Sequence, residues 1–118
     1  SIKFSDKFNT KNVKSMKNMF NKNESLEELD LSSFDTSNVE NMNEMFYGCS
    51  NLINLNLGTK FTTQSVTNMD SMFDSCSSLQ NLYLGDKFTN NNSNIFYGCN
   101  KLTYVSRKIN GYSCANLY

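Results

Sequence analysis

Residues 29–57, LDLSSFDTSNVENMNEMFYGCSNLINLNL, decide the fold. Apolar residues fall at Leu29, Leu31, Phe34, Val39, Met42, Met45, Phe46, Cys49, Leu52, Leu55 and Leu57, with polar residues filling most of the gaps. From Val39 to Leu55 the spacing runs in threes and fours; it then tightens to two at Leu57. Steps of three and four match helical turns with one buried face, and a step of two matches a short strand with alternate side chains inward. The stretch therefore predicts a unit of turn, helix, turn and strand.

The unit recurs in both directions along the chain. Met45-Phe46 is preceded by Met19-Phe20 and followed by Met72-Phe73 and Ile95-Phe96, at steps of 26, 27 and 23 residues. Phe8, Phe34, Phe61 and Phe88 form a second column, and Leu26, Leu52, Leu79 and Leu102 a third. The pairs Leu29/Leu31, Leu55/Leu57 and Leu82/Leu84 close successive units, and Ile2/Phe4 opens the series. A unit this short cannot bury its apolar residues alone, so copies must stack with like side chains touching. The expected organisation is one solenoid domain over residues 1–118. Its repeats run near 2–28, 29–54, 55–81 and 82–104, with a terminal strand and tail at 105–118. The expected fold class is an α/β repeat solenoid, with a short parallel β-sheet on one face and short helices on the other. In the fourth copy, TNNNSN from Thr89 to Asn94 replaces the Val and Met positions and reads as a plain loop without carboxylates for calcium.

The phrases FDTSNV, NM, MF, GCS and the following Leu resemble the repeat of the BspA-type leucine-rich surface proteins. The similarity covers residues 1 to about 106 and is clearest between Leu29 and Leu79. Asn23 stands where later copies have Cys, and the tail NGYSCANLY matches nothing in the repeat. The resemblance implies a right-handed leucine-rich-repeat-like stack in a bacterial extracellular or cell-surface protein, with a role in adhesion or host interaction. It names no ligand, because a fold alone does not fix a function.

Eleven basic residues balance eleven acidic ones, which removes the electrostatic case for nucleic acid or an acidic membrane as partner. No apolar run is long enough for membrane insertion. Because the chain opens directly in a strand-like SIKF, it is expected to belong to something longer. Charge is nonetheless segregated: Lys3, Lys7, Lys11, Lys14, Lys17 and Lys22 precede Glu24, Glu27, Glu28, Asp30, Asp35, Glu40 and Glu44. This reads as solvated faces on successive layers.

Cys49, Cys76 and Cys99 share one column, and side chains spaced by layer stacking do not meet disulfide geometry, so buried free thiols are expected. Cys99 with Cys114 is the only pairing left open. The chain has no His, no CxxC and no Gly-rich phosphate cradle. It therefore offers neither a zinc site nor an activated nucleophile, and no enzyme activity and no cofactor are expected.

If Leu29 and Leu31 point inward, the residues between them face outward from the sheet. The outward column is Lys3, Asp30, Asn56, Tyr83 and Ser106. Glu28, Asn54, Asn81 and Tyr104 flank it on one side, and Gly58 and Gly85 on the other. The expected function is non-catalytic binding of a protein or glycan on a host or neighbouring cell through this face, with Tyr83 and Tyr104 as anchors. The alternative is a passive spacer or an accessory domain of a larger surface protein. A stack with open ends is also expected to associate end to end unless capped. Tyr112, Leu117 and Tyr118 are the candidates for a cap.

Overall fold

The computed structural model describes residues 2–5, 7–89 and 95–106. Five strands, β1 (Ile2–Lys3), β2 (Glu28–Asp30), β3 (Asn54–Asn56), β4 (Asn81–Tyr83) and β5 (Tyr104–Ser106), form one sheet in chain order. Every pairing is parallel, so the chain must travel round and return between strands, and each coil supplies one layer of a stack. Ile2, Leu29, Leu55, Leu82 and Val105 lie in one row of the register. Leu55 and Leu57 are both buried, as the two-residue step requires.

The expected helices are not formed. Among the described residues there is no helix, so the α/β class read from the sequence is wrong for this chain. The stretches at Met16–Asn23, Met42–Cys49 and Met69–Cys76 are instead chains of tight turns. Backbone N–H groups of Met45, Tyr47 and Cys49 donate to the carbonyls of Met42, Glu44 and Phe46, three residues back. The N–H groups between them, at Glu44, Phe46 and Gly48, donate across to Asp70, Met72 and Asp74 in the next coil, at 2.9 Å each. An α-helix would have sent all of these bonds four residues back along the same chain.

The third residue of each principal turn has positive φ: Asn18, Lys22, Glu44, Gly48, Ser71, Ser75 and Gly98. That is the pattern of a type II turn and is incompatible with a right-handed helix. The step of three follows from the same geometry. Met42 and Met45, or Phe46 and Cys49, are the first and last residues of a turn, and all four are buried. Five of the seven left-handed positions are not Gly. Each costs about 1–2 kcal/mol, a cost the interlayer hydrogen bonds offset.

Inside the stack, equivalent side chains meet across layers. Phe20, Phe46, Phe73 and Phe96 form a continuous column, with neighbouring ring centroids 5.6, 5.3 and 5.1 Å apart and interplanar angles of 3°, 4° and 8°. Met42, Met45, Met69 and Met72 are fully buried alongside, with Leu52 and Leu79. The first coil has a neighbour on one side only among the described residues, and there Phe8 and Met19 remain exposed.

A buried threonine column was not anticipated. Thr10 Oγ1 donates to Asp35 O and accepts from Asp35 N–H, both at 2.8 Å. Thr36 Oγ1 does the same with Thr62, at 2.8 and 2.7 Å, and Thr63 Oγ1 with Thr89, at 3.1 and 2.8 Å. Each hydroxyl clamps the peptide that follows the next coil's Phe. Thr36→Val keeps the shape and deletes the hydroxyl, leaving the buried Thr62 N–H and C=O without partners. A loss of about 1–3 kcal/mol is expected in urea denaturation. Equal midpoints for Thr36→Val and the parent chain would remove this role.

Candidate functional site

The parallel register sets Lys3, Asp30, Asn56, Tyr83 and Ser106 side by side in one row of the sheet. Glu28, Asn54, Asn81 and Tyr104 form the adjacent row. At about 4.8 Å per strand the five-strand row is about 20 Å long. Lys3 and Asn56 are exposed, while Asp30 and Tyr83 are half-buried. The side chains of Tyr104 and Ser106 lie outside the described residues, as do Cys114 and the tail residues Tyr112, Leu117 and Tyr118. The loop at 90–94 is likewise outside.

The two rows differ in chemistry. In the flanking row Asn81 Nδ2 donates to Asn54 Oδ1 at 2.7 Å, and Asn54 Nδ2 donates to Glu28 Oε1 at 3.3 Å, so these groups satisfy one another. In the central row Asp30 Oδ1 accepts from Ser32 N–H at 2.8 Å and Asn56 Oδ1 from Gly58 N–H at 3.0 Å. These bonds fix both side chains while the amide donors of Asn56 still face solvent. Gly58 and Gly85 are buried and add nothing to the face.

Cys49, Cys76 and Cys99 are free thiols, the first two buried and the third partly so. Each donates to the carbonyl of a Phe in the preceding coil: Cys49 to Phe20 at 3.1 Å, Cys76 to Phe46 at 3.1 Å and Cys99 to Phe73 at 3.0 Å. Hydrogen bonding to the Cys49 and Cys99 sulfurs, reinforced by burial, pushes the Cys76 thiol far above the ordinary range. It stays protonated and unreactive, a structural donor in the core. Among the described residues no three His, Cys, Asp or Glu side chains converge as metal ligands. Among the described residues no helix is long and apolar enough to cross a membrane.

A family model described as "Mycoplasma protein of unknown function, DUF285" matches residues 3–87, well over half of the chain. The chain belongs to the DUF285 family. The DUF285 span runs from β1 to the loop after β4. It contains the four central-row positions from Lys3 to Tyr83, the threonine column and the thiols of Cys49 and Cys76. No curated protein and no solved structure matches the chain. The DUF285 description names no ligand, so a functional reading has to come from the surface.

Within that DUF285 span, two side chains give the surface a dependence on acid. Hydrogen bonds from the Ser32 side chain and then its backbone hold the Asp30 carboxyl below its usual range against slight desolvation, with Lys3 adding attraction. Ser37 does the same for Asp35, helped by Lys11 and Lys60. A carboxyl lowered in the folded chain stabilises it fully above the unfolded value near about 4 and ceases to do so as pH falls through the folded value. The melting temperature is therefore expected to hold from neutral pH to about 5 and to decline below about 4. The decline should be shallower in an Asp30→Asn, Asp35→Asn double variant. Identical acid profiles for the two chains would contradict the assignment. The effect is small, since both groups are largely solvated.

Proposed function

We propose that this DUF285 chain is a non-catalytic binding module of a cell-surface protein, and that its sheet face engages a protein partner. One observation carries the reading. A uniform aliphatic row, buried at Leu29, Leu55 and Leu82 and exposed at Ile2 in the first coil, lies beside a row whose members all differ: Lys3, Asp30, Asn56 and Tyr83. A scaffold needs the first row, whereas a structural role alone gives no reason for a cation, an anion, an amide and an aromatic side by side. The row is shallow and lies along a sheet, which suits a protein surface better than a small ligand that needs a concave site. Tyr83 combines apolar area with a hydroxyl and is the natural anchor.

Two further observations support the reading. The repeat resembles that of the BspA-type surface proteins, which favours display outside the cell and adhesion. Among the described residues the buried thiols of Cys49 and Cys76 are tied to carbonyls, and the chain has no His, which favours a non-catalytic role.

Beads coated with the chain are expected to bind cultured epithelial cells saturably, and protease treatment of the cells should abolish binding. An Asp30→Ala, Tyr83→Ala double variant should lose at least about tenfold in apparent affinity. Binding that does not saturate, or that the double variant retains in full, would leave the passive spacer as the better description.

A further inference from the structure

The loops that leave β1, β2 and β3 line an open cleft of about 490 Å³ at the edge of the stack. Its lining differs from that of the sheet face. Lys7, Lys11 and Lys60 bring three ammonium groups from two different coils, and among the described lining residues Asp35 is the one carboxylate. The Phe8 ring, 40% exposed because the first coil has a neighbour on one side only among the described residues, forms part of the wall. Ser33 contributes a hydroxyl. Its Oγ is the one buried side-chain nitrogen or oxygen among the described residues without a hydrogen-bond partner.

We propose that this cleft binds a sugar ring carrying an anionic group, either a carboxylate or a sulfate. Each part of the lining answers to one part of such a ligand. Among the described lining residues, three lysines against one aspartate leave an excess of positive charge, which a neutral sugar would not use and an anionic substituent would. An inorganic anion would use the lysines but not an aromatic wall, whereas the C–H face of a pyranose packs on a ring such as Phe8. Asp35 would repel a bare anion, yet its carboxylate accepts hydrogen bonds from sugar hydroxyls. The volume falls within the roughly 300–1,000 Å³ usual for small-molecule sites.

The site is also held in place before any ligand arrives. The Asp35 peptide is tied by both its N–H and its C=O to Thr10 Oγ1 at 2.8 Å, and its Oδ1 accepts from Ser37 N–H at 3.0 Å. Phe8 rests on Phe4 and Phe34, with ring centroids at 4.8 and 5.5 Å. A wall fixed in this way loses little freedom on binding. The proposal does not rest on the sheet-face reading, since none of these residues belongs to the Lys3 to Tyr83 row.

The test is titration of the chain, followed by calorimetry and amide chemical shifts, with three probes: sialyllactose for the carboxylate, a sulfated heparin disaccharide for the sulfate, and lactose as the neutral control. At least one anionic probe is expected to bind saturably at one site, at least about tenfold more tightly than lactose, with shifts centred on Lys7–Lys11 and Ser32–Asp35. The probe that binds tells carboxylate from sulfate. A Lys11→Gln, Lys60→Gln variant alters only exposed side chains and should keep its melting temperature while losing at least about tenfold in affinity. Phe8→Leu keeps apolar volume against Phe4 and Phe34 and should weaken binding, whereas Tyr83→Ala, on the sheet face, should not. No saturable binding of either anionic probe, equal binding of lactose, or full affinity in the lysine variant would overturn the proposal. Absence of protease-sensitive cell binding by the parent chain, with its sugar binding intact, would instead count against the sheet face alone.

Discussion

Phe73→Ala is expected to lower stability by about 3–5 kcal/mol, the largest effect of any single truncation considered. The Phe73 side chain has no exposed surface and lies between two parallel rings, Phe46 at 5.3 Å and Phe96 at 5.1 Å, with Phe88 tilted at 6.3 Å. Truncation removes buried apolar area, opens a void that the neighbouring coils cannot close without bending the sheet, and deletes two stacked contacts worth about 0.5–1.5 kcal/mol each. The position within the stack matters as well. In a solenoid each layer contacts only its neighbours, so damage at Phe73 uncouples the coils on either side. Urea denaturation followed by fluorescence or circular dichroism should show a lower midpoint with altered cooperativity. Phe73→Leu, which retains most of the volume, should lose far less. A midpoint for Phe73→Ala equal to that of the parent chain would contradict the shared interior.

Gly58→Ala is expected to cost about 2–5 kcal/mol, for two separable reasons. Gly58 has φ near 81°, where any other residue pays for the left-handed conformation. A Cβ there would also lie 2.5 Å from Ser32 Cα and 3.1 Å from Ser32 O, and backbone cannot swing aside as a side chain can. Gly48→Ala separates the two causes. Its φ is 70°, yet the nearest atom to its Cβ is Lys22 Cγ at 3.2 Å, the start of a long flexible side chain. That variant should lose only the conformational part, about 1–2 kcal/mol. Thermal melts of the two variants side by side make the comparison. Equal losses would mean that close approach of the coils at Ser32 and Gly58 contributes nothing.

Much of the architecture was legible in the residue columns. The repeated pairs Leu29/Leu31, Leu55/Leu57 and Leu82/Leu84 mark rows that coincide with the parallel register. The Phe46, Phe73 and Phe96 column reads directly as the stacked rings of the interior. The helices expected between them fail for a definite reason. A spacing of three places side chains on one side of a helix, and it equally places the first and last residues of a tight turn on one side. Periodicity cannot separate the two. The signal that could have done so lies in the residues between, where Gly48 and Gly98 occupy the left-handed corner of their turns. Glu44, Lys22 and Ser71 occupy the same corner without advertising it, because the interlayer hydrogen bonds and not local preference place them there.

The outward row from Lys3 to Tyr83 followed from strand parity alone, and the register sets its members side by side. The anionic-sugar cleft did not emerge from the sequence, because it draws Lys7 and Phe8, Asp35, and Lys60 from three loops about a repeat apart. The threonine column was visible in principle, since Thr10, Thr36 and Thr63 each follow a column Phe by two residues. Polar residues in a loop read as solvated until the burial of their hydroxyls is known.

The layered hydrogen bonding can be read directly from scalar couplings across hydrogen bonds in an isotope-labelled sample. The Phe46 amide should correlate with the carbonyl of Met72 in the adjacent coil, and the Gly48 amide with that of Asp74. Correlations to Met42 and Glu44, four residues back, would place a helix at this position and contradict the stacked-turn fold.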